Sequence, residues 1–382
     1  MKIAKLAFGL ICLAILASNI VTMSRWSEAR GVYDDICYLR QAHLFQRLGI
    51  AGLNTNVVLD DDDYAKGRWK EIAYAEWSDS TRWPCHNPMP SGNIVIQYPP
   101  GTGFLLALFP EGHQVVPLYV AASLIVCGLA LSGIAMARTQ SSIIGAGLFG
   151  ALAVYLMINP AKASYSVAPT MAICAVAGFL TALWLSRDRR SVLLIALIGL
   201  LLGASVNFRL PNALLAAGYC LFLAGAFLSA RTLATFMQGL GFGAGVLVGM
   251  SPTLIAQAIN AGSPLATTYG SADVVAPAFD LAILGQYLRD MQFVLIVLAI
   301  GSTAWLLRAG EATVRQVALV VAGNLLVNLV FFLSHPIFTP YYIVPIAMLS
   351  LWSVWFAWLM REPGWQVAAL RPQPGRLEAL PQ

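Results

Sequence analysis

The chain has 382 residues, of which 58% are hydrophobic and 11% charged, with a net charge of +5 and a mean hydropathy of +0.72. A soluble domain carries about 25% charged residues, so this composition excludes a water-soluble globular protein and describes a polytopic helical membrane protein. Basic residues are scattered at the ends of apolar runs rather than interleaved with aromatics in a soluble patch, which speaks against a nucleic-acid partner.

Windows apolar enough to cross a hydrocarbon core of about 30 Å fall at about 3–23, 114–136, 141–158, 166–186, 191–207, 211–229, 236–258, 291–307, 316–334 and 340–360. Lys2 and Lys5 precede the first window. No small-x-small cleavage site follows its core, so it reads as an uncleaved span rather than a signal peptide. Arg138, Arg187 with Arg189 and Arg190, Arg231, Arg308 with Arg315, and Arg361 then mark alternate short loops as basic. By the positive-inside rule both termini are cytoplasmic. The expected fold class is all-α: one transmembrane bundle of about ten spans over residues 1–360, with a short tail over 361–382 read as disordered. The fifth and sixth spans are barely separated, by Phe208-Arg209-Leu210-Pro211.

The opposite, extracytoplasmic face receives a long first loop (24–113), a short segment (159–165), a second larger loop (260–290) and a late turn (334–340). Polar and aromatic residues gather there, which makes it the expected working face. In the long loop, Tyr33-Asp34-Asp35 places paired carboxylates just beyond the first span, a costly position unless they have a task. Residues 34–48 read as an interfacial helix ended by Gly49 and Gly52. At about 100° per residue its two acids diverge. Asp34 shares a face with Tyr38, Gln41, Phe45 and Leu48, whereas Asp35 turns toward Ala42 and Gln46. Arg40, His43 and Arg47 form a basic stripe suited to lipid head groups, and Asp60 to Asp63 read as a solvated acidic loop. Gln97-Tyr98-Pro99-Pro100-Gly101-Thr102-Gly103 precedes an apolar run, Phe104 to Phe109, that is too short to span and reads as interfacial or re-entrant. Cys37 and Cys85 share this loop and can form a disulfide if it lies outside the cytoplasm. Cysteine spacing shows no metal-type CxxC pair.

Tyr33-Asp34-Asp35-Ile36-Cys37-Tyr38-Leu39-Arg40-Gln41-Ala42, ending at Gly49, resembles the opening of the first external loop of C-type (GT-C) membrane glycosyltransferases, such as protein O-mannosyltransferases and aminoarabinose transferases. Tyr98-Pro99-Pro100-Gly101 looks like the later part of that loop. Asn260-Ala261-Gly262-Ser263-Pro264-Leu265-Ala266-Thr267-Thr268-Tyr269-Gly270 is similar to a segment of bacterial members, and Tyr341-Tyr342-Ile343-Val344-Pro345 to the usual ending. The resemblance implies a GT-C-like fold in the bacterial inner (cell) membrane. It implies a polyprenyl-phosphate-linked sugar as donor and an extracytoplasmic glycan, lipid or protein acceptor.

By position the resemblance makes Asp34 the catalytic carboxylate, with Asp35 as a second acid. A sugar transfer of this kind needs a base for the acceptor hydroxyl and a cation for the departing phosphate. Candidates for the latter on the external face are Arg209, Lys162, Arg289 and His335. Tyr269, Tyr341 and Tyr342 are placed to stack on sugar or to join an aromatic belt. No cofactor is identified by the residues themselves; a divalent cation such as Mg or Mn, held by Asp34 and Asp35, is compatible with the chemistry. Residues 159–165 lack the acid that many relatives carry, Pro340 stands where a basic residue often precedes the final tyrosine, and no large soluble C-terminal domain follows the last span. Plainer roles exist for each site residue: helix N-cap for Asp34, snorkelling for Arg209, Lys162 and Arg289, a turn for His335. Rival functions are a transporter or flippase of lipid-linked glycans, which would carry internal repeats and charged spans, and a GT-C-like scaffold without activity.

Overall fold

The computed structural model describes residues 1–28, 33–158, 164–186, 191–270, 276–289, 291–308, 312–335 and 343–361. In chain order the first helices are α1 (Lys2–Met23), α2 (Tyr33–Leu48) and α3 (Tyr64–Glu71). A two-stranded antiparallel hairpin follows, β1 (His86–Pro88) with β2 (Ile94–Ile96), His86 facing Ile96. Then come α4 (Gly101–Ala107), α5 (Val115–Met136), α6 (Gln140–Tyr155), α7 (Val167–Leu185) and α8 (Val192–Val206). A 3-10 turn (Leu210–Ala216) leads into α9 (Ala217–Ala230), followed by α10 (Leu233–Ala261) and α11 (Leu281–Leu288). The chain closes with α12 (Met291–Arg308), α13 (Ala312–Ser334) and α14 (Ile343–Met360).

The all-α membrane bundle expected from composition is what the chain forms. Among the described residues seven helices are long and apolar enough to cross a bilayer: α1, α5, α7, α9 with its leading turn, α10, α13 and α14. Three shorter apolar helices, α6, α8 and α12, fill the other predicted windows. The junction that barely separates the fifth and sixth windows is the 3-10 turn Leu210–Ala216, opened by Pro211, which cannot supply a backbone N–H to a continuing α-helix. Side-chain caps at Thr139, Ser191 and Thr232 start α6, α8 and α10 by accepting from backbone N–H groups of the first turn.

α14 is buried along nearly its whole length and packs on α7, α12 and α13. Lipid tails are as apolar as leucine, so helices in a bilayer associate through close packing rather than water exclusion. α8 and α10 show how. Gly199 and Gly203 on α8 face Gly245 and Gly249 on α10, and a Cβ at any of the four would come within 2.2–2.3 Å of a carbonyl oxygen of the partner helix. Nothing larger fits.

α10 contains Pro252, which has no N–H for the carbonyl of Val248. Ser251 Oγ donates to that carbonyl at 2.8 Å. The carboxamide of Asn207, just beyond α8, enters the same site. Its Nδ2 donates to Gly249 O at 2.7 Å, and its Oδ1 accepts from Thr253 N at 2.9 Å and Thr253 Oγ1 at 2.7 Å. Asn207 thus bridges the two backbone groups that an undistorted helix joins directly. Buried backbone groups need such partners, so the proline fixes where the α8 end sits, two residues before Arg209.

Two elements of the long loop depart from expectation. The Arg40, His43 and Arg47 stripe meets protein instead of lipid head groups, with Asp60, Asp61 and Asp62 of the acid run as its counter-charges, while Asp61 and Asp63 stay exposed to solvent as read. Arg40 is fully buried, donating to Thr55 O at 2.8 Å and Asn56 O at 2.9 Å, with Asp60 3.5 Å from its Nε. His43 stacks on Tyr64 with its nitrogens facing Asp62 at 2.7 Å and Glu111 at 3.2 Å. Arg47 reaches Asp61 at 2.6 Å and Asp62 at 2.9 Å. Helical spacing put the cations on one stripe; it could not show that the acids, 14 to 20 residues from the cations they meet, fold back over it.

Candidate active site

The first turn of α2 brings Asp34 to the boundary between the loop and the bundle. Its Oδ1 accepts from the Tyr98 hydroxyl at 2.5 Å, and its Oδ2 pairs with Arg209 Nη2. Arg209 stands 175 residues away in sequence, between α8 and the Pro211 turn. Its Nε donates to Ser166 Oγ at 2.9 Å, and its guanidinium lies over the Tyr98 ring, 5.6 Å from the centroid. The Arg209 side chain is 9% exposed and that of Asp34 23%, so the pair is sheltered yet reached from outside.

Tyr98 is placed by the turn that carries it. Gly101 N donates to Asn207 O at 2.7 Å, and a Cβ at Gly101 would come within 2.6 Å of the Asn207 side chain. A Cβ at Gly103 would strike Gln41 at 2.6 Å. The glycines of Pro99-Pro100-Gly101-Thr102-Gly103 therefore permit two close approaches, one to the Arg209 junction and one to α2. Tyr38, one turn after Asp34, stacks on Tyr98 with centroids 4.9 Å apart. Burial pushes the Tyr38 phenol up to about 12 despite Arg209 nearby. Burial, and then the neighbouring Asp34, raise Tyr98 well above the ordinary phenol range. Both hydroxyls stay protonated, and Tyr98 acts as a donor to Asp34.

The last turn of α10 and the segment after it close the other side. Asn260 Oδ1 accepts from Thr55 N at 2.9 Å and its Nδ2 donates to Leu53 O at 2.8 Å. Thr268 Oγ1 donates to Gln97 O at 2.8 Å, and Asn87 Nδ2 donates to Thr268 O at 3.0 Å. These bonds hold Tyr269 edge-on to Tyr98, centroids 6.2 Å apart. On the far side of the Asn207 junction an apolar cavity of about 550 Å³ lies between the loop and the bundle, lined by Phe45, Ile50, Phe104, Leu105, Phe208 and Pro252 among others. The short apolar run read as interfacial forms its wall as α4.

Of the residues singled out from sequence, the structure brings Asp34, Arg209 and Tyr269 into one site around Tyr98. Asp35 is fully buried beneath it. Arg289 is exposed just after α11. His335, at the end of α13, has its Nδ1 against Phe331 O at 2.8 Å and Ser334 Oγ at 3.0 Å, within its own helix. Lys162, Tyr341 and Tyr342 lie outside the described residues. Tyr98, Tyr38, Ser166 and Asn207 were not among the sequence candidates. Tyr98 had a signal, the Pro-Pro-Gly turn behind it, and Tyr38 another, its place on the Asp34 face of the helix; Ser166 and Asn207 had none.

Cys37 and Cys85 are joined by a disulfide across 48 residues. It ties α2, one turn past Asp34, to the hairpin, where Gln97 N donates to Cys85 O at 3.0 Å beside Tyr98. With His86 these cysteines make up the one group of three metal-type ligands found close together among the described residues. The disulfide uses both sulfurs. The His86 ring faces Pro84 O at 2.9 Å and Arg40 Nη1 at 3.4 Å. Burial first, then Arg40, lower His86 to about 3 and keep it neutral. Asp34 meets a guanidinium and a phenol rather than further carboxylates. That donor set does not fit a divalent cation. Comparisons of the chain with protein families, with curated proteins and with solved structures give no match.

Proposed function

We propose that the chain is an integral-membrane glycosyltransferase of the C-type architecture. It moves one sugar from a polyprenyl phosphate to an extracytoplasmic acceptor. The observation that carries this reading is the meeting of Asp34 and Arg209, the carboxylate and the cation this chemistry needs, from segments far apart in sequence. The apolar cavity supports it by offering space for part of a lipid chain against Asn207 and Phe208, the two residues before Arg209. The disulfide supports an external placement of the long loop, because such bonds persist in oxidising compartments. Ten crossings with both termini cytoplasmic complete the proposed topology.

In this reading the donor phosphate lies on Arg209, held in plane by Ser166, and the sugar stacks against the Tyr98 and Tyr269 rings. The acceptor oxygen attacks the anomeric carbon from the face opposite the phosphate. Its proton passes to Asp34 as the new C–O bond forms. The bond from the anomeric carbon to phosphate oxygen breaks, and the electron pair leaves on the phosphate, neutralised by Arg209. Asp35, buried below, is too enclosed to touch substrate and has a supporting place.

The test is transfer of radiolabelled sugar from synthetic polyprenyl phosphates by purified protein. Asp34→Asn should reduce transfer by roughly 10²–10⁴-fold, the range for loss of a general base. Retained transfer would remove Asp34 from that role. Absence of transfer with every donor would favour a transporter or an inactive scaffold.

A further inference from the structure

The contact that defines the site also blocks it. Oδ2 of Asp34 is held by Arg209 Nη2 and Oδ1 by the Tyr98 hydroxyl. A carboxylate oxygen held by a guanidinium is not placed to take a proton from an incoming hydroxyl. A guanidinium face occupied by a carboxylate is likewise not open to a phosphate. Carboxylate and phosphate are alike to Arg209, since both present anionic oxygens that accept N–H bonds from a guanidinium.

We propose that Asp34 is an internal competitor for the phosphate of the lipid-linked donor, so that donor binding itself frees the base. This rests on the glycosyltransferase reading above. When a phosphate oxygen takes Nη2, Asp34 Oδ2 is released while Oδ1 stays on Tyr98, whose stack on Tyr38 keeps the phenol in place. Arg209 itself has little room to travel. Ser166 Oγ holds its Nε, and Asn207, two residues before it, is bonded to the backbone of α10 on both sides of Pro252. Asp34 is the more exposed partner, so it is the one that moves. The carboxylate then turns toward solvent, where an acceptor hydroxyl arrives. A site without donor is thus a poor base, which protects a sugar donor from reaction before it is seated.

The experiment measures binding of sugar-free polyprenyl monophosphate to purified protein in nanodiscs, with inorganic phosphate as a second ligand to separate the head group from its lipid. If the pair is closed about 90% of the time, removing the competing charge strengthens phosphate binding about tenfold. Asp34→Asn should therefore bind the lipid phosphate about tenfold more tightly than wild type while losing transfer, and inorganic phosphate should follow the same order. Arg209→Gln should lose binding in both backgrounds, with thermal unfolding confirming that each variant is folded. Equal or weaker binding by Asp34→Asn, with wild type binding and transferring normally, would overturn the latch and leave the glycosyltransferase reading intact. Binding of the lipid phosphate by neither protein would overturn both.

Discussion

Two of the carboxylate–guanidinium contacts on helix α2 look alike and behave differently. Arg40 and Asp60 lie 20 residues apart within the long loop. The guanidinium is wholly buried, with two backbone carbonyls accepting from it, and burial lowers it to about 10, so it is still charged at neutral pH. Asp34 and Arg209 join the loop to the bundle. Their partners are a phenol, a serine hydroxyl and an aromatic face, and the carboxylate keeps an outlet to solvent. A charge ringed by carbonyls has one possible arrangement and acts as a staple. A pair ringed by hydroxyls and rings can exchange one anion for another at little cost.

Breaking the staple should have the larger effect on stability. Arg40→Met leaves Asp60 and the Thr55 and Asn56 carbonyls without their cation, and loss of one partner of a buried pair costs about 3–5 kcal/mol. Asp34→Asn, which keeps shape and can still accept from Tyr98, should leave thermal unfolding within about 1 kcal/mol of wild type. Thermal unfolding of the two variants side by side measures the contrast. Similar losses in both would mean that the Asp34 contact is a second staple and not an exchangeable pair.

How much of this was legible in the sequence follows from the range of each interaction. Apolar windows placed an apolar helix at all ten positions because helix formation in lipid depends on a run of neighbouring residues. The α2 boundaries and the divergence of Asp34 from Asp35 were legible for the same reason. Asp34 and Arg209 were each visible as ionisable groups at membrane boundaries, but their pairing was not, since nothing local encodes a contact across 175 residues. The counter-charges of Arg40 and Arg47 were missed because an acid run gives no sign of where it folds. Asn207 was missed because an asparagine after a span reads as an ordinary helix end; its role depends on a proline in another helix.

That role supplies the next test. Asn207→Leu keeps bulk but leaves Gly249 O and Thr253 N, both inside the bundle, without the carboxamide that bridges them. Unpaired buried groups cost roughly 1–3 kcal/mol. The variant should unfold earlier by that amount and also weaken phosphate binding, because Arg209 loses its fixed neighbour. Asn212→Leu is a useful control. Its Nδ2 bonds Thr170 Oγ1 at 3.1 Å and Ser205 O at 2.8 Å on the other side of Arg209, away from Pro252 of α10. Loss of stability without loss of phosphate binding in Asn207→Leu would make the α10 bridge structural only.

A last test separates the two contacts by pH. His86 lies against the Arg40 staple and is held at about 3 by burial and by that cation, against an ordinary value of 6.5. As pH falls below 6.5 the unfolded chain gains a proton at this position that the native protein does not. Stability is therefore highest above 6.5 and falls by about 1.4 kcal/mol per pH unit toward 3. Asp62 acts in a lower window. Burial works to raise it, but hydrogen bonds from His43 and Arg47 prevail and bring it to about 2. Its contribution is intact above its ordinary value of 3.8 and lost only as pH falls from there toward 2. Between pH 6.5 and 4.5 the comparison of wild type with His86→Gln thus isolates His86. The melting temperature of wild type should fall more steeply than that of the variant, in step with loosening of the loop around Arg40. Parallel slopes would show that His86 takes its proton in the native state and that the staple has more room than its burial implies.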